Sequence, residues 1–587
     1  MTEMDVHGDG VTPMPGRIPA DLLELAADVA LVGVPSDDMA SVILEAHPLP
    51  EVFAKLEEAE TGGKEESDLC AFLERMFETS PGSELLAHAM PYAEAGLAAE
   101  SPRVRKLACA QLGRAIAFAT SSEGAAPVPD KLLAVLADVL RDSDAGVAAA
   151  AATALAFLAS AAPETLNPIV ARLSSFVVDH RPETRLRAHA LASKLASSSL
   201  RAAAAVAERG LHDELMREVD DRRDPLAAMA AMELLAELVE AESVETAAAL
   251  GITGPLLPKL ATIVSGGTDG KGREHPGFVR ARAAVVGARI AAASATILGE
   301  LPEAATTTTG TTGSPTFLDA LANAVEDDDV DVREAAFVAV GTLCECRSGA
   351  AALVAPTTSS CVALLSATVS AATGVGGPTR IAALHAVASL AGAGVSSGRR
   401  STTIAPDAAH EPVGVVRSRE SSKMDTTIQD VVLFNAAAAD AAETAESAIR
   451  DAVYNAAAAR GCTPAERFWA LLERGGDSFL EVRVAAYRCV AALGRRSWFA
   501  VEVTSHDLLL GKIVDASGET APPGCRWRHE AALGLLAGAE ASRGDNGPEL
   551  QVNDAKIARL TAAVGEGPFG RGTEVTRAIP KVAISRR

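Results

Sequence analysis

The sequence predicts an all-α protein built from stacked helical repeats, and three observations support this fold class. Hydrophobic residues make up 48% of the 587 residues but aromatic residues only 3%, so Ala, Leu and Val must build the core. Ala and Leu favour helices, and Ala allows neighbouring helices to approach closely. A short helical pattern recurs along the chain, and no sustained alternation of apolar and polar residues predicts a strand. We therefore expect a right-handed α-α superhelix with disordered inserted loops.

The recurring pattern is a turn with Pro or an acidic residue, an apolar anchor, usually Arg, and then an Ala-rich helix. Clear copies have their anchors at Val104, Val279, Val332 and Val482. Weaker copies are centred on the following positions: Val147, Leu186, Leu226, Thr379 and Trp527. Most neighbouring anchors are separated by roughly the 40–47 residues of armadillo and HEAT units. The repeat length therefore predicts an armadillo/HEAT-like solenoid.

Each part of the pattern has a physical role. Apolar residues at i, i+3, i+4 and i+8 form one stripe along a helix, and their small size lets the next helix pack closely. A preceding Pro presets φ for the first turn, and a preceding Asp caps its free amides. We expect the Arg of each copy to reach an acidic residue of a neighbouring turn and connect the repeats. Direct contact of this Arg with a ligand is the alternative.

Changes in composition divide the chain into four segments. The segment rich in Ser, Gly, Arg and Thr has few apolar residues and is typical of a disordered loop. Solenoids accommodate such loops on one edge. The predicted segments are a disordered N-terminus (1–20), the N-terminal and central solenoid (21–391), a disordered inserted loop (392–425), and the C-terminal solenoid with a short extended tail (426–587).

Charge and cysteine content exclude several classes of protein. The chain has 53 Lys and Arg against 77 Asp and Glu, a formal net charge of −24, whereas nucleic-acid binders need a basic face. The eight cysteines have irregular spacing and contain no CxxC pair, so they indicate buried thiols in a reducing compartment. The acidic N-terminus does not resemble a signal peptide, and the uncharged stretch 145–162 fits a repeat helix better than a membrane span. We expect a cytoplasmic protein, with the nucleus as a further compartment.

The sequence contains no recognisable catalytic or cofactor site. Gly565-Glu-Gly-Pro-Phe-Gly matches GxGxxG by letter, but the preceding residues Lys556–Val564 predict a helix, whereas a dinucleotide loop follows a strand. His180 and His189 have no acidic partner at ligand spacing, which favours surface or core roles for both. We predict no enzyme, no cofactor and no metal.

A helical solenoid without chemistry offers an extended surface to another protein. In HEAT-like units the second helix of each pair lines that surface, and the charge of −24 favours a partner with basic patches. Ordinary solvated faces are the alternative for these side chains. The outward residues that we expect to contact a partner are Lys106, Glu233, Glu237, Arg282, Glu334 and Arg488.

Four stretches resemble the proteasome non-ATPase regulatory subunit 5 family. Glu100–Arg114 (ESPRVRKLACAQLGR) is similar to the family's early repeat. Phe468–Arg474 (FWALLER) and Glu481–Leu493 (EVRVAAYRCVAAL) are similar to its last repeats. Ile557–Phe569 (IARLTAAVGEGPF) resembles its closing helix and Glu-Gly-Pro-aromatic tail. The middle of the chain shares the repeat pattern alone.

The resemblance implies a non-enzymatic chaperone for assembly of the proteasome regulatory-particle base. Members of this family bind the C-terminal domain of one AAA ATPase subunit, beside a neighbouring ATPase and a large non-ATPase subunit. They leave before the mature proteasome forms, and we expect a monomer when the chain is free. The alternative is another armadillo/HEAT scaffold, such as a nuclear-transport adaptor or a phosphatase scaffold. An enzyme with a hidden carboxylate or thiol site is a third interpretation.

Overall fold

The structure is a computed structural model in which the chain divides into two compact units, Met1–Arg217 and Glu218–Arg587. The predicted disordered N-terminus (1–20) and all of the predicted inserted loop (392–425) except Gly392 lie outside the described residues, and so does the predicted extended tail. The residues that the structure describes are 21–120, 130–240, 253–267, 274–293, 316–345, 347–354, 359–374, 377–392, 439–473, 479–544 and 551–570.

The described residues form α-helices and short 3₁₀ turns and contain no strand, which confirms the all-α prediction. The helices of the first unit are α1 (Leu22–Val32), α2 (Asp37–Ala46), α3 (Leu49–Glu58), α4 (Lys64–Met76), α5 (Ser80–Glu84), α6 (Leu86–Gly96), α7 (Pro102–Thr120), α8 (Asp130–Asp138), α9 (Ala145–Ala161), α10 (Leu166–Phe176), α11 (Pro182–Ser198), α12 (Leu200–Glu208) and α13 (Leu211–Glu218).

The second unit continues with fifteen described α-helices. They are α14 (Pro225–Glu240), α15 (Thr253–Val264), α16 (Gly277–Ala293), α17 (Phe317–Ala324), α18 (Val330–Leu343), α19 (Arg347–Val354), α20 (Ser359–Ala372), α21 (Pro378–Leu390), α22 (Ala439–Ala458), α23 (Pro464–Leu472), α24 (Leu480–Leu493), α25 (Ser497–Ser505), α26 (Asp507–Val514), α27 (Pro522–Ala541) and α28 (Asp554–Glu566).

Helices stack in two layers within each unit. In the first unit α4, α7, α9 and α11 pack in succession, while α8, α10 and α12 form the other layer. In the second unit α14, α16, α18, α21, α24 and α27 each pack on the next, and α15, α17, α20 and α22 do the same. We call the helices of one layer in each compact unit the second helices. They are α4, α7, α9 and α11 in the first compact unit and α14, α16, α18, α21, α24 and α27 in the second. This is the paired-helix stacking that the repeat pattern predicts.

Small residues bring the second helices together. A Cβ added to Gly113 on α7 would lie 2.9 Å from the Cβ of Ala154 on α9. On α27, a Cβ added to Gly534 would overlap the carbonyl oxygen of Ala491 on α24. The Ala- and Gly-rich composition therefore reflects close contact between successive repeats.

The Arg of the repeat pattern connects neighbouring repeats, as predicted, in three of the four clear copies, whereas Arg333 of the fourth donates to the carbonyl of Asp327 in its own turn. Arg105 donates through Nε to Asp142 Oδ2 at 2.7 Å and through Nη1 to the carbonyl of Glu100 at 2.8 Å. Arg483 donates through Nε to Glu519 Oε1 at 2.7 Å. Each guanidinium thus joins its own turn or helix start to the turn of the following repeat. We call Arg105–Asp142, Arg280–Asp327 and Arg483–Glu519 the arginine ladder pairs.

Four of the nine predicted anchors are not fully buried: Val104, Leu186 and Thr379 are half-buried and Leu226 is exposed. In two of these copies a neighbouring residue occupies the buried position. Leu226 is 71% exposed, and Ala227, the third residue after the capping Asp224, is buried in its place. Leu186 is half-buried, and Thr184 occupies the equivalent buried site directly before Arg185. The register follows the distance from the helix start, because that distance decides which side of the first turn faces the neighbouring helix.

Candidate partner-binding face

The exposed sides of the second helices carry most of the predicted contact residues. Lys106 lies on α7, Glu233 and Glu237 on α14, Arg282 on α16 and Glu334 on α18. We call this surface the second-helix face and describe it separately in each unit.

In the first unit the second-helix face forms an open groove of about 420 Å³. Its lining includes Cys70 and Glu74 of α4, Arg103 and Lys106 of α7, and Asp144, which precedes α9. Lys106 is exposed and forms no ion pair with a described residue. The groove therefore presents one unpaired ammonium group among charges of both signs.

In the second unit, two predicted contact residues pair with each other. Arg282 forms an ion pair with Glu233, and Arg289 donates to Glu233 Oε2 at 2.7 Å. Arg289 also forms a bidentate pair with Glu240, with both distances at 2.8 Å. The hydrogen bonds from Arg289 to Glu240 and then Glu233 raise the pKa of the Arg289 guanidinium above its usual range. Four charges thus join α14 to α16 and present a largely neutralised patch.

Glu237 and Glu334 remain available on this face. Glu237 is exposed one turn after Glu233, and Glu334 is half-buried on α18. Neither carboxylate forms an ion pair with a residue that the structure describes. A partner that supplied Lys or Arg here would gain charge pairs without first breaking existing ones.

Arg488 is not an outward contact residue, and this part of the prediction is wrong. Its side chain is buried on α24, where Nη1 donates to His385 Nδ1 at 3.0 Å and Nη2 to Ser389 Oγ at 3.2 Å. On the other side the guanidinium lies 6.0 Å from the ring centroid of Trp527. The neighbouring helices α21 and α27 therefore cover the side of α24 that corresponds to the second-helix face. Burial lowers the pKa of Arg488.

The sequence contains a signal for this burial. From Val484 to Leu493, every residue of α24 is buried, and apart from Arg488 the residues of that run are apolar, small or aromatic. A helix that is apolar on all sides is a buried one. The outward position of Arg488 in an isolated helix does not reveal that the flanking helices close over it.

Burial keeps four reactive side chains among the described residues in their neutral form. Burial raises the pKa of Cys70, Cys109 and Cys489 to about 12, so their thiols stay protonated. Burial lowers the pKa of His189 to about 4, and neither ring nitrogen has a hydrogen-bond partner. No group of three or more His, Cys, Asp or Glu side chains in the described part of the chain could hold a metal ion.

The GxGxxG letters begin in the last turn of α28, and the predicted helix over Lys556–Val564 is confirmed. The helix α28 ends at Glu566, and Gly567 follows it with a φ of 76°. The buried Arg528 donates through Nη2 to the carbonyl of Pro568 at 3.1 Å and through Nη1 to that of Ile513 at 2.8 Å. These glycines belong to a helix end docked on the solenoid.

Among the described residues, no single helix is long and apolar enough to cross a membrane. The segments Ala145–Ala161 and Pro163–Phe176 meet the test only as a pair, and they are bent by 119° at their junction. Val147, Ala151, Leu155 and Leu158 of the first helix are buried within the repeat packing.

The fold and the second-helix face define the chain as a helical-repeat protein with charged helix surfaces in each of its two units. Residues 19–265 match the family described as proteasome non-ATPase 26S subunit. The match confirms the predicted resemblance to the proteasome non-ATPase subunits. It includes the Glu100–Arg114 stretch and ends before the C-terminal stretches on which the resemblance also rests.

Other comparisons with known proteins add little. No curated protein matches the chain. Three engineered proteins solved by the Northeast Structural Genomics Consortium are similar in structure. The first has a TM-score of 0.38 and 16% identity over 81% of this chain and 99% of its own. The others have TM-scores of 0.25 and 0.28, with 20% identity over 42% of this chain and 93% of their own, and 19% over 44% and 98%. With TM-scores below 0.5, these likenesses carry no part of the assignment.

Proposed function

We propose that the chain is a non-enzymatic chaperone for assembly of the proteasome regulatory-particle base. The observation that carries this proposal is the match of residues 19–265 to the proteasome non-ATPase 26S subunit family. The partner of this chain is the C-terminal domain of an AAA ATPase subunit, with a neighbouring ATPase and a large non-ATPase subunit alongside. The site of action is the cytoplasm and the nucleus, and the free chain is a monomer.

The second-helix face supports a binding role. It offers an open groove with the unpaired Lys106 in one unit and the unpaired Glu237 and Glu334 in the other. The net charge of −24 attracts a partner surface rich in Lys and Arg and raises the rate of encounter. A broad open surface suits a protein partner, whereas small-molecule sites enclose their ligands.

A chaperone of this kind has to leave its client. A partner surface that is also needed in the finished assembly provides that release, because the incoming subunit competes for the same contacts. Such competition needs no chemistry in the chaperone. The protonated thiols of Cys70 and Cys489 and the buried imidazole of His189 are consistent with this mechanism.

The proposal is tested by capturing the tagged full-length chain from a lysate of its own cells and identifying the bound proteins by mass spectrometry. We expect base ATPase subunits without core-particle subunits. Recovery of whole proteasomes would indicate a resident subunit instead. Recovery of no ATPase subunit would remove the proteasome proposal and favour another armadillo/HEAT scaffold, an adaptor of the transport or phosphatase type.

A pair of charge reversals tests the binding face itself. Glu237→Lys reverses a charge on the second-helix face of the second unit, and Glu208→Lys makes the same change on α12, in the other layer of the first unit. Both side chains are exposed and free of ion pairs with described residues, so neither variant should unfold the chain. Because the proposed partner surface is rich in Lys and Arg, we expect Glu237→Lys to reduce the captured ATPase subunits several-fold and Glu208→Lys to leave them unchanged. Equal capture by both variants would place the contact elsewhere.

A further inference from the structure

A second candidate interaction surface lies outside the second-helix groove, at the corner between α1 and α2. Five large apolar side chains are exposed there. Leu31 is 85% exposed and Val32 69% at the end of α1, Val34 is 52% exposed in the connection, and Met39 and Val42 are 37% and 50% exposed at the start of α2. We call these five residues the α1–α2 corner. Single exposed apolar residues are ordinary, whereas a run of this kind within one corner marks an interaction site.

The corner is held in place by contacts on its inner side. Leu25 and Val29 of α1 are buried in the core formed with α4. Arg75 of α4 donates a hydrogen bond to the carbonyl of Val29. Asp37, in the first turn of α2, accepts hydrogen bonds from Ser80 N at 2.9 Å and Ser80 Oγ at 2.8 Å. The exposed apolar side chains are therefore presented by fixed helices.

The segment that carries the corner supplies carboxylates and no cation, and the guanidinium of Arg75 on α4 is half-buried beneath it at the carbonyl of Val29. Residues 21–54 contain seven Asp and Glu and no Lys or Arg. Asp28 precedes Leu31 and Val32 by three and four residues, and Asp38 precedes Val42 by four. Residues three or four apart share one face of a helix. Asp28 and Asp38 are exposed and form no ion pair with a described residue, so each apolar group has an unpaired carboxylate beside it.

This charge pattern selects among possible occupants. A second copy of the chain docked through the same corner would bring the two sets of carboxylates together, which is unfavourable. An anionic membrane surface would be repelled for the same reason. A protein segment with an apolar face edged by Lys or Arg satisfies both features. We propose that the α1–α2 corner binds a basic amphipathic helix of a partner protein, with apolar anchors against Leu31 and Val42 and cations against Asp28 and Asp38.

This inference is independent of the proposed function, because it uses neither the family match nor the second-helix face. The probe is a fluorescein-labelled 18-residue helical peptide of Leu and Lys, with Leu at i, i+3, i+4 and i+7. A second peptide with Glu in place of Lys keeps the same apolar face. Binding to the full-length chain is followed by fluorescence anisotropy at 50 and 200 mM NaCl.

Two double variants test whether the Lys peptide binds through the apolar side chains of the corner or nonspecifically through charge. In Leu31→Ser/Val42→Ser the corner loses two anchors, whereas Leu200→Ser/Leu226→Ser removes two equally exposed apolar residues elsewhere. All four side chains are at least half exposed, so both variants should retain the melting temperature of the unmodified chain. We expect the corner variant to weaken binding of the Lys peptide at least ten-fold and the control variant to leave it within two-fold.

The charges have their own variant. Asp28→Asn/Asp38→Asn should weaken binding of the Lys peptide several-fold at 50 mM NaCl and by less at 200 mM, because salt screens exposed charges. Absence of Lys-peptide binding to the unmodified chain would overturn the proposal. So would equal binding of the Glu peptide, equal weakening by the control variant, a concentration-dependent dimer that the corner variant abolishes, or binding to vesicles containing phosphatidylserine.

Discussion

Arg105 on α7 and Asp142, in the turn before α9, form a bidentate ion pair between two consecutive repeats. Arg105 Nε lies 2.7 Å from Asp142 Oδ2, and Arg105 Nη2 lies 3.0 Å from Asp142 Oδ1. The side chains are only 14% and 12% exposed, so the pair is shielded from most of the solvent. The same guanidinium bonds the carbonyls of Ala99 and Glu100, just after α6 ends. One side chain thus holds its own turn and the next.

Removal of one partner of this pair should be costly. Arg105→Ala leaves the Asp142 carboxylate without its bidentate donor and two carbonyls without their hydrogen bonds, and we expect a loss of about 2–3 kcal/mol in the free energy of unfolding. Urea denaturation followed by circular dichroism measures this loss. Arg217→Ala, which removes an exposed guanidinium paired with Glu214 within the same helix, should cost less than about 1 kcal/mol. Equal losses in the two variants would show that the arginine ladder pairs do not hold the repeats.

The same pair gives a pH dependence of defined sign. The hydrogen bond from Arg105 lowers the pKa of Asp142 below its ordinary value. A carboxyl whose pKa is lower in the folded state stabilises the fold above the unfolded pKa of about 3.9, and this contribution is lost as the pH falls through the folded pKa. The difference in unfolding free energy between the unmodified chain and Asp142→Asn should therefore be largest near neutral pH. Below about pH 4 it should shrink progressively.

Urea midpoints of both proteins at several pH values between about 3 and 7 measure this dependence. Asp38→Asn is the control, because that carboxylate is exposed and has no ion pair with a described residue. A difference for Asp142→Asn that stayed constant down to about pH 3 would contradict a lowered pKa of Asp142 in the folded chain.

Close packing of the second helices predicts opposite effects for two glycines. Gly534→Ala places a Cβ on the backbone carbonyl of Ala491, which cannot rotate away, and should destabilise the chain by about 1–3 kcal/mol. Gly511, inside α26, has no atom within 4 Å of an added Cβ, so Gly511→Ala should stabilise the chain by about 0.5–1 kcal/mol. Thermal unfolding of both variants compares them directly. A stabilising Gly534→Ala would show that α24 and α27 are not in close contact.

The buried position of Arg488 predicts a structural role for that residue. Arg488→Ala removes the donor to His385 and Ser389 and leaves a cavity beside Trp527, so we expect a loss of about 2–4 kcal/mol in unfolding free energy. Lys106→Ala, on the exposed face, should change this free energy by less than about 0.5 kcal/mol. Urea denaturation of the two variants provides the comparison. An unchanged free energy of unfolding for Arg488→Ala would contradict the structural role and would make Arg488 a candidate surface contact again.

Local sequence features predicted the parts of the structure that depend on nearby residues. The arginine ladder pairs follow from an Arg at the same place in three of the four clear copies of the repeat, and α28 follows from the apolar spacing before Gly565. The repeat pattern places Leu226 at the buried anchor position, whereas Ala227 occupies it. This was missed because the buried position is set by its distance from the helix start at Asp224. The burial of Arg488 was missed because its position was considered without the apolar run Val484–Leu493 that surrounds it and that is typical of a helix buried on all sides. The pairing of Glu233 with Arg282 across two helices has no local signal.

The proposed function depends most directly on which assembly the chain occupies in the cell. Native gel electrophoresis of a lysate, with antibodies to the chain and to a base ATPase and an overlay assay for proteasome peptidase activity, measures this. We predict that the chain migrates with base ATPase subunits in bands that lack peptidase activity. Migration of the chain with peptidase-active proteasomes, or in bands without any base ATPase, would contradict an assembly chaperone that leaves before the proteasome matures.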